Sequence, residues 1–485
     1  MLDSNAAPVQ NAANKMSNNA NQDESRETSS DAKTWVIKTF TWENLPTAVV
    51  DLRRQTFIHE KHFLGEENLT SSNDHQGVHI TVWLGDTLAG ATHVMLAEES
   101  DWSHWTGTPA EQLKHAVLSS RTCVAPGARY QALFPLLFLA AMRWARLEGR
   151  SHYVGHIEPG QPPFRKMVDC QLYEHLPDRT INLQDGHSYK VVPAGGEVTY
   201  ASWRCWQLLS KSLKDFVRTS LMPEEIEITL NRQIQRFYKN EWFHRVTSQS
   251  LTKNQYIKAL ANLHQYVRWT TRLLATIAGN TENSELRAQF LEHLAGEIDH
   301  ETMLERDLEH LGADVDWITK HMSPAPDIYN FMSMQNGIAA FERDPALFLA
   351  VPLVAEGLSA NLDDRFLRDL EACIKSWGME RPKHAMSFLA SHIHTDGGEK
   401  GHWQAVIRTM AKFVSGEPML QRVLTVIDAI TGSMIRAYDS YVEKPDLGGQ
   451  IWFEQTAKLA RDAEPHWQAK FSHEDSSATR QVTVN

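Results

Sequence analysis

Residues 291–300 read Leu291-Glu-His-Leu-Ala-Gly-Glu-Ile-Asp-His300. Glu297 and His300 are three apart, so on a helix they sit about 60° from each other on one face, where both can touch a single cation. The plain alternative is a solvated charged pair, because this spacing arises easily in a chain with 23 histidines and 60 acids. What weighs against it is the surrounding pattern. Apolar residues recur at helical spacing through 226–243, 256–277, 286–311, 347–358, 366–377 and 420–441, and no period-two stretch interrupts them. Gly279-Asn280, Gly312, Pro324 to Pro326, Pro345, Gly378 and Gly397-Gly398 supply the breaks. The half of the chain after about residue 205 therefore reads as all-α, with Pro223 opening its first helix.

Within that half, two further segments carry chemistry. Glu356 lies in Phe348-Leu-Ala-Val-Pro-Leu-Val-Ala-Glu-Gly-Leu358. A lone carboxylate in so apolar a run must be paired, protonated or bound to a cation if it is buried; otherwise it leans into water beside Gly357. His392-Ile-His-Thr-Asp396 places His392 and Asp396 within about 40° on one helix face, and His394 reads as a solvent-facing or supporting histidine. His402 lies six residues beyond Asp396 and about 120° away on a straight helix, so it joins the others only if Gly397-Gly398 bends the backbone. Carboxylates and imidazoles projecting inward from a helical bundle are the donor set of a two-metal, oxygen-activating site.

The order of these segments resembles the heme-oxygenase-like di-iron oxidases and oxygenases, a helical family related to the thiaminase-like fold. Phe237-Tyr-Lys-Asn-Glu-Trp-Phe-His244, Leu251-Thr-Lys-Asn-Gln-Tyr256, Glu297 with His300 leading into Met303-Leu-Glu-Arg-Asp-Leu-Glu-His-Leu-Gly312, Glu356, and His392 with Asp396 carry the likeness over about 222–444. It implies Glu297, His300, Glu356, His392, Asp396 and His402 as ligands of two Fe(II) ions, with dioxygen as co-substrate. In the family the last histidine follows the aspartate within a turn, whereas here a glycine pair intervenes before His402. A ferritin-like alternative pairs Glu399 and His402 with Glu297 and His300, uses Glu356 as a bridge and Glu241 as a fourth acid, and leaves His392 and Asp396 idle. Glu241 with His244 repeats the spacing and reads as structural. A thiaminase-like hydrolase would need a cysteine over the cavity, and Cys373 reads as core.

The first half is mixed. Residues 78–83 and 89–95 read as a hairpin around Gly85-Asp86, followed by a helix over 135–148 that stops at Gly149 and a strand over 153–157. The expected architecture is thus an α/β domain followed by a helical bundle. Its parts are a disordered leader (1–33), an α/β domain (34–205), a linker helix (206–222), the helical domain (223–465) and a disordered tail (466–485). Leu52-Arg-Arg-Gln-Thr-Phe-Ile-His-Glu60, the hairpin and Ser120-Arg-Thr-Cys-Val-Ala-Pro-Gly-Ala-Arg129 resemble the acyltransferase fold of autoinducer synthases and N-acyl amino acid synthases. That resemblance implies catalytic roles for Arg53 and Glu60. It also implies a donor-binding loop at Arg129, Tyr130, Gln131 and Ala132, where backbone amides at a helix start receive the phosphates of an acyl-CoA or an acyl carrier protein. The loop lacks the family's glycines.

Composition bounds the rest. A net charge of −12 without a basic stripe excludes a general nucleic-acid binder. The four cysteines form no CxxC pair, so they suggest neither a zinc knuckle nor a disulfide framework. No apolar stretch reaches the roughly 20 residues of a membrane span, and the start lacks the order of a signal peptide, so a cytoplasmic protein is expected. The expected partners are a small-molecule substrate, an acyl carrier protein and a second copy of the chain. The function expected is oxidation of an amino-acid-derived or acyl molecule in specialised metabolism, by N-oxygenation, desaturation or C–C cleavage. The competing expectation is a non-catalytic ligand-binding or scaffold protein with a degenerate acyltransferase domain.

Overall fold

The computed structural model describes residues 34–62, 64–66, 69–100, 102–103, 109–157, 174–175, 179–182, 188–396 and 402–443, without the side chains of 110, 156–194, 395, 396, 402 and 443. The expected leader and tail lie outside these residues.

The first part is a sheet of eight strands: β1 (Trp35–Phe40), β2 (Val78–Leu84), β3 (Thr87–Leu96), β4 (Ala116–Val124), β5 (His152–Ile157), β6 (Glu174–His175), β7 (Arg179–Asn182) and β8 (Ser188–Glu197). Their order is β1-β2-β3-β4-β5-β8-β6, with β7 also on β8. The expected hairpin is β2–β3. Its two-residue link needs a positive φ at the first central position, which Gly85 supplies at 59°. All pairings are antiparallel except β4–β5. That parallel pairing covers only Ala116 to Leu118 against His152 to Val154, although β4 continues to Val124 and β5 to Ile157. Beyond Leu118 and Val154 no ladder pairing joins the two strands.

Helix α1 (Thr47–Arg53) packs on β3 and β4, and α2 (Leu133–Leu147) lies across β2, β3 and β4. Leu136, Leu137, Ala141, Met142 and Ala145 of α2 are enclosed, each apolar side chain stabilising the fold by roughly 1–3 kcal/mol. Helix α3 (Val198–Leu208) packs against α2. It runs straight through the expected boundary at residue 205, and the chain then turns through two short helical segments before the bundle.

The helical part comprises α4 (Met222–Tyr238), α5 (Glu241–Thr247), α6 (Lys253–Asn280), α7 (Ser284–Gly296), α8 (His300–His310), α9 (Pro326–Phe341), α10 (Ala350–Ala360), α11 (Asp364–Ser376), α12 (Ser387–Asp396), α13 (His402–Phe413) and α14 (Glu417–Glu443), with short turns of helix at Val315–Lys320 and Pro345–Leu349. Two helices expected to be continuous are broken. The run 226–243 stops at Tyr238 because Asn240 caps α5, its Oδ1 accepting the Phe243 amide at 3.1 Å. The run 286–311 breaks after Gly296, and residues 297–299 form a turn. Elsewhere the caps are of ordinary kind: Thr252 and Gln255 form a reciprocal capping box on α6, and Asp363 caps α11.

The two parts share one apolar core, reaching from Ile80 on β2 to Val442 on α14. Arg146 of α2 crosses between them. Its Nε meets Glu225 of α4 at 2.7 Å and its Nη1 meets Glu417 of α14 at 2.8 Å, while both carboxylates are almost fully enclosed. Burial alone would lower the pKa of this guanidinium, but the flanking Glu225 and Glu417 carboxylates reverse that and hold it above the ordinary value. Among the described residues, no single helix is long and apolar enough to cross a membrane.

Candidate metal centre

The break in the 286–311 run falls on the site. Glu297 follows the last residue of α7, and His300 opens α8, so the two lie across a turn and not along one helix. The three-residue spacing survives because the turn stays close to helical, with Glu297 at φ −91°, ψ −3° and Asp299 at φ −95°, ψ −3°. Ile298 points outward into solvent, and Glu297 points inward, only 11% exposed.

The two oxygens of Glu297 face different histidines. Oε1 lies 3.5 Å from His293 Nε2, and Oε2 lies 2.7 Å from His300 Nδ1. On the first side, His293 Nε2 is also 2.9 Å from Glu356 Oε1. On the second side, the His300 ring lies 4.2 Å from that of His392, centroid to centroid. Two trios result, His293 with Glu297 and Glu356, and Glu297 with His300 and His392, each offering one donor atom per residue within 4.8 Å. Glu297 belongs to both.

Each side chain is held from behind. Glu356 sits in α10 among Val351, Leu353, Val354 and Leu358, with 7% of its side chain exposed; the reading in which it leans into water is excluded. Gly357 beside it allows Trp403 of α13 to pack on the helix, where a Cβ would meet Trp403 Nε1 at 2.9 Å and Ile234 Cδ1 at 3.0 Å. Trp403 Nε1–H in turn donates to the Leu353 carbonyl at 3.1 Å. His392 donates Nδ1–H to the Phe388 carbonyl one turn back, at 2.9 Å, which leaves Nε2 as its ligating atom. Helix α12 starts against Asp307 of α8, which accepts from the Phe388 amide at 2.9 Å and from the Ser387 hydroxyl. Asp307 therefore ties the helix that begins with His300 to the helix that carries His392.

The electrostatics are those of a cation site. Burial should depress the His293 pKa, but the Glu297 and Glu356 carboxylates outweigh it and hold the ring up to about 10. Burial would raise Glu297, yet hydrogen bonds from His293 and His300 keep it well below the ordinary carboxylate range. His392 is pushed down to about 4 by burial and by His300 beside it, so it is neutral and ready to ligate. The donor set of two carboxylates and three imidazoles, partly enclosed and sharing one carboxylate, fits a pair of first-row divalent metals such as iron.

Four of the six expected ligands, Glu297, His300, Glu356 and His392, are brought together here. The side chains of Asp396 and His402 lie outside the described residues, as does Glu399. Glu241, the fourth acid of the ferritin-like alternative, is half exposed and pairs with Arg245, away from this cluster. His394 is largely exposed, as expected of a solvent-facing histidine. Cys373 is a core residue on α11 and is not among the cavity-lining residues. His293 was overlooked by the motif reading, although it stands four residues before Glu297 and seven before His300, a spacing that repeats one helical stripe.

The cluster opens on a cavity of about 130 Å³. His293, Glu297, Glu356 and His392 lie on its wall, and most of the remaining lining is aliphatic or aromatic.

In the sheet part the candidates separate. Arg53 is fully enclosed, donating to Asp74 at 2.8 Å and meeting His79 Nδ1 at 2.7 Å, so its guanidinium is spent inside the fold and not turned toward a substrate. Glu60 and Arg129, expected in different roles, form an ion pair with each other across 69 residues of sequence. Tyr130 is almost fully exposed, and Ala132 takes a left-handed φ of 56° just before α2, the conformation that a glycine would have adopted freely. Gln131 closes the turn, its amide donating to the Ala128 carbonyl at 3.1 Å.

No family model matches the sequence, and no curated protein matches it. Among solved structures, a domain of unknown function with a heme oxygenase-like fold from Shewanella denitrificans is 14% identical over 54% of this chain and 98% of its own, with a TM-score of 0.39. A TenA homolog from Pseudomonas syringae is 11% identical over 46% of this chain and 92% of its own, also with a TM-score of 0.39. An N-acyl amino acid synthase from uncultured soil microbes is 12% identical over 34% of this chain and 93% of its own, with a TM-score of 0.28.

Proposed function

We propose that the helical half is a non-heme, iron-dependent oxidase or oxygenase acting on a small acyl or amino-acid-derived molecule. The observation that carries this reading is the placement of Glu297, whose two carboxylate oxygens address two separate sets of protein ligands. His293, Glu297 and Glu356 would hold one iron, and Glu297, His300 and His392 the other, with Asp396 and His402 as further candidates. Iron held in this way supplies the reduction of dioxygen and the oxidation of a neighbouring substrate. The protein's own part is positional. Glu297 fixes the separation of the two sites, the Phe388 carbonyl sets the His392 tautomer, and Asp307 holds α12 against α8. The apolar cavity excludes bulk water from the reacting face.

The outcome expected is N-oxygenation, desaturation or C–C cleavage in specialised metabolism, in the cytoplasm. For the sheet half (34–205, joined through 206–222 to 223–465) the reading is acyl transfer. The ends of β4 and β5 beyond their pairing would receive the thioester arm of acyl-CoA or of an acyl carrier protein, and the start of α2 its phosphate.

Anaerobic loading with Fe(II), removal of unbound metal and iron analysis test the central claim. Two irons per chain in the wild type and none in Glu297→Ala would support it. Less than one iron per chain in the wild type would overturn it in favour of a ligand-binding protein.

A further inference from the structure

The cavity beside the metal cluster has a shape and a chemistry that select among substrates. Helix α6 lines it with one continuous stripe, from Tyr256 through Leu260, Leu263 and Val267 to Leu274. These residues span 18 positions, so the lined face runs for roughly 27 Å along the helix. An apolar face of that length, continued by the apolar lining from the other helices, can receive an extended chain laid along it. Phe348, Val351 and Leu358 are among the residues on the walls contributed by the following helices.

Charge is confined to one place. Among the described lining residues the only ionisable groups besides tyrosines are His293, Glu297, Glu356 and His392, and no lysine or arginine is present. A free amino acid or other compact zwitterion held at the charged end would leave the apolar wall along α6 uncovered. A straight hydrocarbon chain covers it, and each methylene it buries gains from leaving water.

We infer that this channel binds the unbranched aliphatic chain of an acyl-type substrate, laid along the α6 face with its polar head at the Glu297–Glu356 cluster. The inference deepens the oxidase reading by naming the substrate class, and only the placement of the head rests on that reading. The two glutamates disfavour an anionic head while the cluster is metal-free, so a neutral head binds better in that state. A divalent cation between them reverses the preference.

The test uses the full-length, metal-free protein and displacement of a neutral fluorescent probe, 1-aminoanthracene, by straight-chain alcohols from hexanol to dodecanol. Affinity is expected to rise about three- to four-fold for each added methylene. Ala259→Leu, which narrows the channel, should flatten the rise at the long end with a melting temperature lowered only slightly and an unchanged iron content. Dodecanoate should bind more weakly than dodecanol to the metal-free protein and gain at least ten-fold when Zn(II) is added. A chain-length series with no slope, or leucine or lysine displacing the probe better than any alcohol, would overturn the inference. Iron analysis is independent of these measurements. A steep slope with no bound iron would refute the oxidase reading and keep the chain-binding channel; bound iron with no slope would do the reverse.

Discussion

Glu297 is the residue on which the two candidate metal positions depend, and single substitutions there and at its partners should separate them. His293→Ala removes a donor from one trio and His392→Ala from the other, so each variant is expected to keep about one iron per chain. Glu297→Ala, which takes a donor from both, should keep none; iron analysis after anaerobic loading reads the difference. A second residue-scale prediction concerns His79, packed between Arg53, Asp74 and His93 and fully enclosed. Burial depresses its pKa to about 4, helped by Arg53 and His93 and opposed by its hydrogen bond to the Asp74 carbonyl. A histidine with a depressed folded pKa stabilises nothing extra above its unfolded value near 6.5, and it costs stability as pH falls from there toward 4. The wild type should lose roughly 2–3 kcal/mol of folding stability from this group between pH 7 and pH 4. His79→Gln should lose that much less over the same interval, as read from urea midpoints. Sequence alone marked Glu297 through its spacing but not its double role, because spacing along one helix says nothing of what the neighbouring helix brings to the second oxygen.

Helices set the geometry that residues use. The break between α7 and α8 was not legible as such, since the apolar period runs on through Gly296 to Leu311 and only the geometry shows Glu297–Asp299 as a turn. Helix α9 departs from the sequence expectation because Pro326 begins a helix instead of interrupting one, and α13 departs from it because it starts at His402, just past the Gly397-Gly398 break. A proline is tolerated at the first turn, where its missing N–H costs nothing. Asp307 makes the strongest element-scale claim. Its carboxylate accepts the Phe388 amide in the first turn of α12, and its burial, only partly offset by Ser387 and Phe388, raises its own pKa. Asp307→Ala is expected to cost about 1–2 kcal/mol in urea unfolding, in line with loss of a helix cap. The same variant should also weaken iron retention on the His392 side while sparing the His293 side. Asp307→Asn, which keeps the acceptor, should retain most of both.

At the scale of the molecule, sheet and bundle are joined by a buried ionic node. Arg146 reaches from α2 to Glu225 and Glu417, and Arg143 beside it meets Glu224 at 3.1 Å. Removing one partner of such a group leaves buried charge unmatched and costs about 3–5 kcal/mol. Arg146→Ala should therefore lower the melting temperature strongly and resolve a single calorimetric transition into two, one for each half. A single transition at an unchanged temperature would mean that the node does not couple them.

Read by itself, the sequence determined the class of each half: period two around Gly85-Asp86 made strands, period 3.6 after residue 205 made helices, and the apolar setting of Glu356 marked it as an acid needing a partner. These are local properties, carried by neighbouring residues and by burial pattern. The tertiary structure alone decided that His293 faces Glu297 and Glu356, that Arg53 is sealed inside the sheet, and that Glu60 meets Arg129. Each of these is a contact between segments whose separation in space is fixed by packing, and hydrophobic periodicity specifies which face of a helix turns inward without specifying what it will meet there.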